Sequence, residues 1–284
     1  MPTLGLFATN MGVCATAEGA ERIGTLAEAL GFDSLWMGEH VVAPSPWVAP
    51  SPIQPDYPIL DPLVALGFMA GVTQRVRLAT GILILPQRNP VVLAKQLATL
   101  DVVSRGRLMF GMGVGYLEPE MSAVGVPMEG RGARADEYLQ AMRALWEEDA
   151  PAFSGRHVEF EGVDAHPRPL QRPLPVVVGG HSAAAHRRAV AHGDGWYGYL
   201  LDREAAARQV ASLREAAANA GRDLDGFTIT VSPAERLGPD SVRAFGELGV
   251  DRLVLVPRLE LSLADLEEYV RARAPERVGA EPAG

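Results

Sequence analysis

The sequence predicts an α/β protein folded as a (β/α)₈ barrel, the TIM-barrel architecture, with insertion loops over the C-terminal face of the barrel. Three observations lead to this prediction: short apolar runs alternate with segments of helical period, the alternation repeats eight times, and all of it fits within 284 residues. Nearly all-apolar strands separated by amphipathic helices are typical of a parallel sheet covered on both faces. Eight such units in this length favour a closed barrel over an open doubly wound sheet.

The predicted strands are runs such as LGLFA, SLWMG and LPVVVGG, in which apolar and β-branched residues dominate. They span residues 4–8, 34–38, 76–85, 107–115, 174–180, 194–201, 227–232 and 252–257. The predicted helices span residues 17–30, 63–72, 91–103, 134–148, 183–191, 203–220, 240–248 and 264–272. Asn89 and Pro90 mark the start of the third helix, since Asn is a preferred N-cap and Pro a preferred first residue.

Three connections, residues 41–60, 116–132 and 155–173, are too long to be simple turns. The first two follow strand ends and therefore lie at the C-terminal face, where barrel active sites are built. The first is rich in proline but carries Trp47 and Tyr57, which favours an ordered loop over the barrel mouth rather than a linker.

The composition is that of an acidic globular protein, with 26 Lys and Arg against 35 Asp and Glu and a net charge of −9. This balance argues against a nucleic-acid partner. No apolar run reaches the roughly 18 residues of a membrane span, so no membrane partner is expected. With Cys14 as the only cysteine and no leader-like N-terminus, we expect a cytoplasmic protein. Residues 1–275 are expected to form a single barrel domain, and residues 276–284 a disordered tail.

Several kinds of catalytic site are absent from the sequence. His181 and His186 are five residues apart and cannot share a helix face, so no metal site is predicted. No G-x-S-x-G motif occurs, and Cys14 has no local base signature. Covalent nucleophilic catalysis is therefore not supported.

The stretch RGRLMFGMGVGY has glycine at every second position, Gly111, Gly113 and Gly115. A dinucleotide-binding loop would need its third glycine where Tyr116 stands, so the spacing instead fits one face of a strand. The missing side chains clear space on the barrel side, either for a flat ring or for packing of the narrow core. Packing accounts well for Gly111, whereas a ligand accounts better for Gly115 at the strand end.

Two strand ends carry groups suited to a bound cofactor. In VVVGGHS, residues 179–182 lead from a strand into a helix, where flexible backbone and a helix N-terminus suit a phosphate. The alternative is an ordinary glycine turn with a Ser182 cap. At the second strand end, Glu39 precedes His40, which can exchange a proton near neutral pH or can simply be structural.

A set of motifs in the chain resembles the luciferase-like monooxygenase superfamily. The motifs are GFDSLWMGEH, ATGILILPQRNP, KQLATLD, SRGRLMFGMGVGY, GVP…RADEYLQAMRALW and VVVGGHS…AHGDGW, in that order over residues 4–201. Within the superfamily the chain is most similar to the branch that uses coenzyme F420, an 8-hydroxy-5-deazaflavin, rather than FMN.

The resemblance implies a luciferase-like barrel with the cofactor ring across its mouth. It places a non-proline cis peptide bond behind the ring at Gly81–Ile82, and an acid and histidine pair near ring and substrate at Glu39 and His40. The predicted cofactor-binding residues are Gly81, Ile82, Gly113, Gly115, Gly179, Gly180, His181 and Ser182. Of these, the resemblance implies Gly81, Ile82 and residues 179–182, and the glycine spacing of the fourth strand adds Gly113 and Gly115.

One departure from the family pattern concerns catalysis. Some deazaflavin dehydrogenases carry a catalytic glutamate just after the glycines of the fourth strand, where this chain has Tyr116. Glu118 and Glu120 lie near that position but are shifted along the chain. We therefore expect Tyr116 to be a second proton donor. The departure also argues against a sugar-phosphate dehydrogenase role for the protein.

The sequence thus predicts an oxidoreductase that transfers a hydride between coenzyme F420 and a small, moderately apolar organic substrate. His40 would exchange the proton, oriented by Glu39. An FMN-dependent monooxygenase that activates oxygen is the alternative among enzymes, and a cofactor-free barrel that binds or scaffolds is the alternative of another class. The resemblance also suggests a homodimer.

Overall fold

The computed structural model describes residues 1–283 and contains the expected closed barrel of eight parallel strands. The strands are β1 (Thr3–Phe7), β2 (Ser34–Met37), β3 (Arg77–Thr80), β4 (Leu83–Ile84), β5 (Leu108–Gly113), β6 (Phe153–Ser154), β7 (Glu159–Phe160), β8 (Val176–Gly179), β9 (Gly195–Leu201), β10 (Thr228–Pro233) and β11 (Arg252–Leu255). Around the barrel the order is β1, β2, β3, β5, β8, β9, β10 and β11, and β11 pairs with β1 to close it. Strand β4 pairs with the end of β5, and β6 and β7 form a separate antiparallel hairpin.

The helices are α1 (Ala17–Ala29), α2 (Pro62–Val72), α3 (Pro90–Val103), α4 (Glu118–Ala123), α5 (Arg131–Glu147), α6 (Ala183–His192), α7 (Arg203–Ala220), α8 (Pro239–Glu247), α9 (Leu263–Ala272) and α10 (Pro275–Val278). All eight predicted helices are present near their predicted bounds. Asn89 is the N-cap of α3, as predicted, and accepts hydrogen bonds from the backbone N–H groups of Val91 and Val92. None of the helices over residues 1–283 has the length and apolar character that crossing a bilayer requires.

Two apolar layers stabilise the barrel. The strand register places one side chain from each of seven strands on the inner face: Phe7, Trp36, Ala79, Met109, Val177, Tyr197 and Val254. The alternate residues, such as Leu4, Leu6 and Leu35, pack outward against the helices. The barrel interior is therefore filled and leaves no room for a ligand inside it, so the mouth is the part of the barrel to search for a site.

Some connections are more regular than the sequence suggests. The segment 116–132, expected to be irregular, contains α4, and the segment 155–173 contains β7. The predicted third strand is divided, because β3 ends at Thr80 and β4 begins at Leu83.

The prediction of a disordered tail over residues 276–284 is wrong for the part up to residue 283. Helix α10 spans Pro275–Val278 with Gly279 as its C-cap, the N–H of Glu281 donates to the carbonyl of Pro2, and that of Ala283 donates to the carbonyl of Gly31. Val278 and Ala280 are buried. This segment therefore packs as a strap across the N-terminal end of the barrel, opposite the mouth.

We expect removal of the strap, by ending the chain at residue 274, to lower the urea midpoint of unfolding. Burial of one valine side chain is worth about 1.5–3 kcal/mol, and Val278 is 4% exposed. Ligand binding at the mouth should persist below the unfolding transition, because the strap contacts the opposite end. The exposed Arg277→Ala variant is the control, and an unchanged midpoint on truncation would contradict a packed strap.

Candidate active site

The segment between β3 and β4 forms the floor of the barrel mouth. The peptide bond Gly81–Ile82 is cis, at the position that the family resemblance implies. The backbone N–H of Gly81 donates to the carbonyl of Met37 at 2.6 Å, which ties this segment to the end of β2. The side chain of Ile82 projects toward the neighbouring strands β5 and β8.

Three glycines form a cradle around the Ile82 side chain. A Cβ added at Gly113 would lie 2.8 Å from Ile82 Cγ2, and one added at Gly179 would lie 2.7 Å from Cγ1. A Cβ at Gly111 would lie 3.1 Å from Cδ1 and would overlap the carbonyl oxygen of Thr80. The alternate glycines of β5 therefore face the barrel interior as predicted, and packing explains both Gly111 and Gly113.

The structure explains the glycine at position 115 by its backbone conformation and packing, although the sequence favours a ligand there. Its φ of +80° lies in the left-handed region that glycine adopts without strain. A Cβ there would lie 2.9 Å from Ile84 Cγ2 and 3.0 Å from Met121 Sδ. Backbone conformation and these two neighbours therefore account for glycine at this position.

Glu39 does not orient His40, and this part of the prediction is wrong. Its buried carboxylate accepts hydrogen bonds from the backbone N–H of Ile84 at 2.6 Å and from Arg88 Nε at 3.1 Å, and it forms an ion pair with Arg88 Nη2. Arg88 also contacts Asp61 at 2.7 Å, and the Asp61 side chain caps the start of α2. Glu39 therefore holds the segment after Ile82, and its hydrogen bonds are with Ile84 and Arg88 rather than with the histidine.

His40 is paired instead with Glu120. The sequence places Glu120 near Tyr116, but no role is predicted for it. His40 Nδ1 lies 3.1 Å from Glu120 Oε2, and the backbone N–H of Val41 donates to Oε1 at 2.6 Å. The Glu120 side chain is 0% exposed and that of His40 is 10% exposed. One feature of the sequence could have indicated a buried Glu120: it directly precedes the apolar Met121 in EPEMSA, a short segment that can form a helix.

Tyr116, the predicted second proton donor, lies beside this pair. Its ring is perpendicular to that of His40 with centroids 6.2 Å apart, and the residue is 51% exposed. Burial of part of the side chain, and next the charge of Glu120, raise the pKa of Tyr116 above its usual value. The hydroxyl therefore keeps its proton at neutral pH and can donate it.

Residues 179–182 form a loop fixed to β9. The indole N–H of Trp196 donates to the carbonyl of Gly180 at 2.8 Å, and the backbone N–H of Tyr199 donates to His181 Nε2 at 3.0 Å. Burial lowers the pKa of His181, which suits this acceptor role because the ring must be neutral to accept. Ser182 caps α6 by accepting from the N–H of Ala185, so the expected serine cap is present at a helix N-terminus.

The rim of the mouth is aromatic and apolar. The ring of Tyr199 lies 5.5 Å from that of Phe7, and Tyr199 and Leu200 are 41% and 47% exposed. Leu200 has a φ of +51°, an uncommon backbone conformation for a branched residue. From the 41–60 segment, Val41 and Trp47 are also exposed. This rim can contact an apolar molecule at the mouth.

Comparison with known proteins identifies relatives of this chain and of its fold. The sequence model of a family described as luciferase-like monooxygenase matches residues 6–244. A protein of uncharacterized function from Mycobacterium tuberculosis is 35% identical over 280 residues, covering 95% of this chain and 96% of its own. The crystal structure of monooxygenase RslO1 from Streptomyces bottropensis aligns with a TM-score of 0.76 at 23% identity, covering 96% of this chain and 97% of its own.

Two further relatives have names that state a cofactor. An F420-dependent glucose-6-phosphate dehydrogenase of Kineococcus radiotolerans is 30% identical over 233 residues, covering 80% of this chain and 60% of its own. An FMNH₂-dependent dimethylsulfone monooxygenase of Pseudomonas putida is 31% identical over 132 residues, covering 45% of this chain and 36% of its own. The chain thus has relatives of both cofactor types.

We expect Gly113→Ala to destabilise the protein by about 1–3 kcal/mol, the usual cost of overpacking a core. The new Cβ would meet Ile82 Cγ2 at 2.8 Å. Adding Ile82→Ala should relieve part of the overpacking, so the double mutant should lose less stability than the two single mutants lose in total. The measurement is the urea midpoint of the four proteins.

Gly67→Ala is the matched control for this prediction, because nothing lies within 4 Å of a Cβ added at Gly67 on α2. It should leave the midpoint unchanged or raise it slightly. Strictly additive effects at positions 113 and 82 would show that the cradle does not constrain Ile82.

Proposed function

Since this chain belongs to the luciferase-like monooxygenase family, whose members are oxidoreductases, we propose that it transfers a hydride between coenzyme F420 and a small, moderately apolar organic substrate. The observation that carries the proposal is the pairing of His40 with the buried carboxylate of Glu120 at the barrel mouth. Removal or addition of a hydride at a carbon that bears oxygen requires a partner that moves a proton, and a histidine held in this way suits that task. The relative from Kineococcus supports the choice of coenzyme F420 over FMN.

The residues at the mouth fit such a coenzyme. The N-terminus of α6, with Gly180 and the Ser182 cap, would hold a phosphate group through backbone N–H groups. The apolar Ile82, supported by its glycine cradle, would lie beneath a flat ring. When bound, coenzyme F420 supplies the ring carbon, C5, that accepts or donates the hydride.

His40 moves the proton in this proposal. Because Nδ1 faces Glu120, Nε2 is the ring nitrogen left for the substrate. In the direction of oxidation Nε2 takes the proton of the substrate hydroxyl as the hydride leaves the adjacent carbon, and in reduction it returns that proton. Tyr116, whose hydroxyl stays protonated, is a second donor beside it.

The rim indicates the character of the substrate. The exposed side chains of Val41, Trp47, Tyr116, Tyr199 and Leu200 are apolar or aromatic and uncharged. Arg131, in the segment 116–132, donates hydrogen bonds to the carbonyl oxygens of Gly115 and Met128 and is therefore already engaged within the protein. A neutral, moderately apolar substrate therefore fits this rim better than a phosphorylated one.

We expect micromolar binding of coenzyme F420 and much weaker binding of FMN in parallel fluorescence titrations of the purified protein. Aerobic turnover with reduced coenzyme should consume no oxygen, since C5 in place of N5 prevents a hydroperoxide. Preference for FMN with oxygen uptake would instead support the monooxygenase alternative, which the relative from Pseudomonas represents. Binding of neither coenzyme would support a cofactor-free barrel.

The role of His40 is tested by His40→Asn, because the asparagine amide can still donate to Glu120 but lacks a counterpart of Nε2. General acid–base catalysis contributes about 10²–10⁴-fold, so kcat should fall by roughly that factor. The Kd for coenzyme F420 should stay within a few-fold of wild type. Retention of full kcat would exclude His40 as the proton-transfer group.

A homodimer is also part of the proposal, supported by the outer face of α2. Val64 and Phe68 are 75% and 39% exposed on this face, and the helix contains no charged residue. An uncharged face with exposed bulky side chains can pack against the same face of a second copy, as a two-fold interface requires.

The double variant Val64→Glu and Phe68→Glu should therefore be monomeric, because four carboxylates would be buried against one another in the dimer. Light scattering coupled to size-exclusion chromatography would give the mass. Leu170→Glu is the control, since Leu170 is 59% exposed outside α2. A monomeric wild type, or a dimeric double variant, would contradict this interface.

A further inference from the structure

We infer that Glu120 is the positioning residue that holds His40 in the tautomer with its proton on Nδ1, leaving Nε2 free to accept the substrate proton. The inference rests on the proposed function for the second half of this statement. The first half, the tautomer, concerns only the protein and can be measured without coenzyme or substrate.

The hydrogen bonds of the Glu120 carboxylate determine which ring nitrogen of His40 carries the proton. The backbone N–H of Val41 can only donate, so Glu120 Oε1 accepts from it at 2.6 Å. The other oxygen, Oε2, lies 3.1 Å from His40 Nδ1. An ionised carboxylate accepts at both oxygens, and His40 then donates from Nδ1 and carries its lone pair on Nε2.

The pairing with His40 matters because the Glu120 carboxylate is buried. The Glu120 side chain is 0% exposed, and its hydrogen bonds are with the amide of Val41 and the ring of His40. No arginine or lysine of residues 1–283 forms an ion pair with it. Proton uptake by His40 would place an imidazolium directly against this carboxylate, so Glu120 stabilises the state that forms as the substrate loses its proton.

The position of Glu120 is itself secured by its surroundings. Leu117 and Met121, on either side of it, are 1% and 0% exposed. Arg131 joins the two ends of this segment, donating to the carbonyl of Gly115 from Nε at 3.0 Å and to that of Met128 from Nη1 at 2.8 Å. Helix α4 is therefore anchored to the barrel independently of His40, as a positioning element must be.

Glu120→Gln is the informative variant because it preserves size. The glutamine carbonyl oxygen can still accept from Val41, but this places the NH₂ group against His40 Nδ1. Two donors cannot face each other, so the ring must become an acceptor at Nδ1 and carry its proton on Nε2. The substrate then meets a donor where an acceptor is needed.

The first measurement is ¹⁵N NMR of histidine-labelled protein, with the His40 signals among the six histidines assigned by their loss in His40→Asn. We expect a protonated Nδ1 in wild type and a protonated Nε2 in Glu120→Gln. The same tautomer in both proteins would overturn the inference. This readout stands even if no hydride transfer is found, so failure of the proposed function and failure of the inference are distinguishable.

The second measurement is steady-state oxidation of an alcohol substrate with coenzyme F420. Glu120→Gln should lower kcat by about 10²-fold or more while leaving the Kd for the coenzyme unchanged. The control is Glu118→Gln, an exposed carboxylate of the same helix, which should keep wild-type kcat. Full kcat in Glu120→Gln, or equal losses in the two variants, would show that Glu120 does not position His40.

Discussion

The packing of Ile82 against the glycines of β5 and β8 is the contact on which the rest of the mouth depends. It sets the path of the chain between β3 and β4, and this path presents the backbone N–H of Ile84 to Glu39. Glu39 in turn binds Arg88, which reaches Asp61 at the start of α2. A side-chain contact inside the barrel is thus connected to the placement of an outer helix through a short series of polar interactions.

Much of the fold could be predicted from the sequence because its determinants are local. Apolar strand runs and helical periodicity repeat along the chain, and caps such as Asn89 and Ser182 mark helix starts in the structure as they do in the sequence. The spacing of the β5 glycines alone indicates that they share one face, on the barrel side. Their neighbour is not visible in the sequence, because Ile82 approaches from the segment between β3 and β4 and only tertiary packing shows that it fills the space.

The site was predicted less completely, for a physical reason. Adjacent residues at a strand end point in different directions, so Glu39 and His40 face different partners although they are neighbours in sequence. The partner of His40 is 80 residues away, on a helix in a segment expected to be irregular. The C-terminal strap was missed likewise, since a short polar sequence gives no local sign that Val278 and Ala280 will be buried.

The contact between Glu120 and the Val41 amide joins the segment that follows β2 to the segment that follows β5, both at the barrel mouth. In many barrels such loops diversify separately, and new specificities arise by changing one of them at a time. Here the two share the hydrogen bonds that orient His40. An insertion or deletion that reshapes either loop is therefore expected to disturb the orientation of His40 unless it preserves both ends of this contact, so the two loops cannot vary independently of each other.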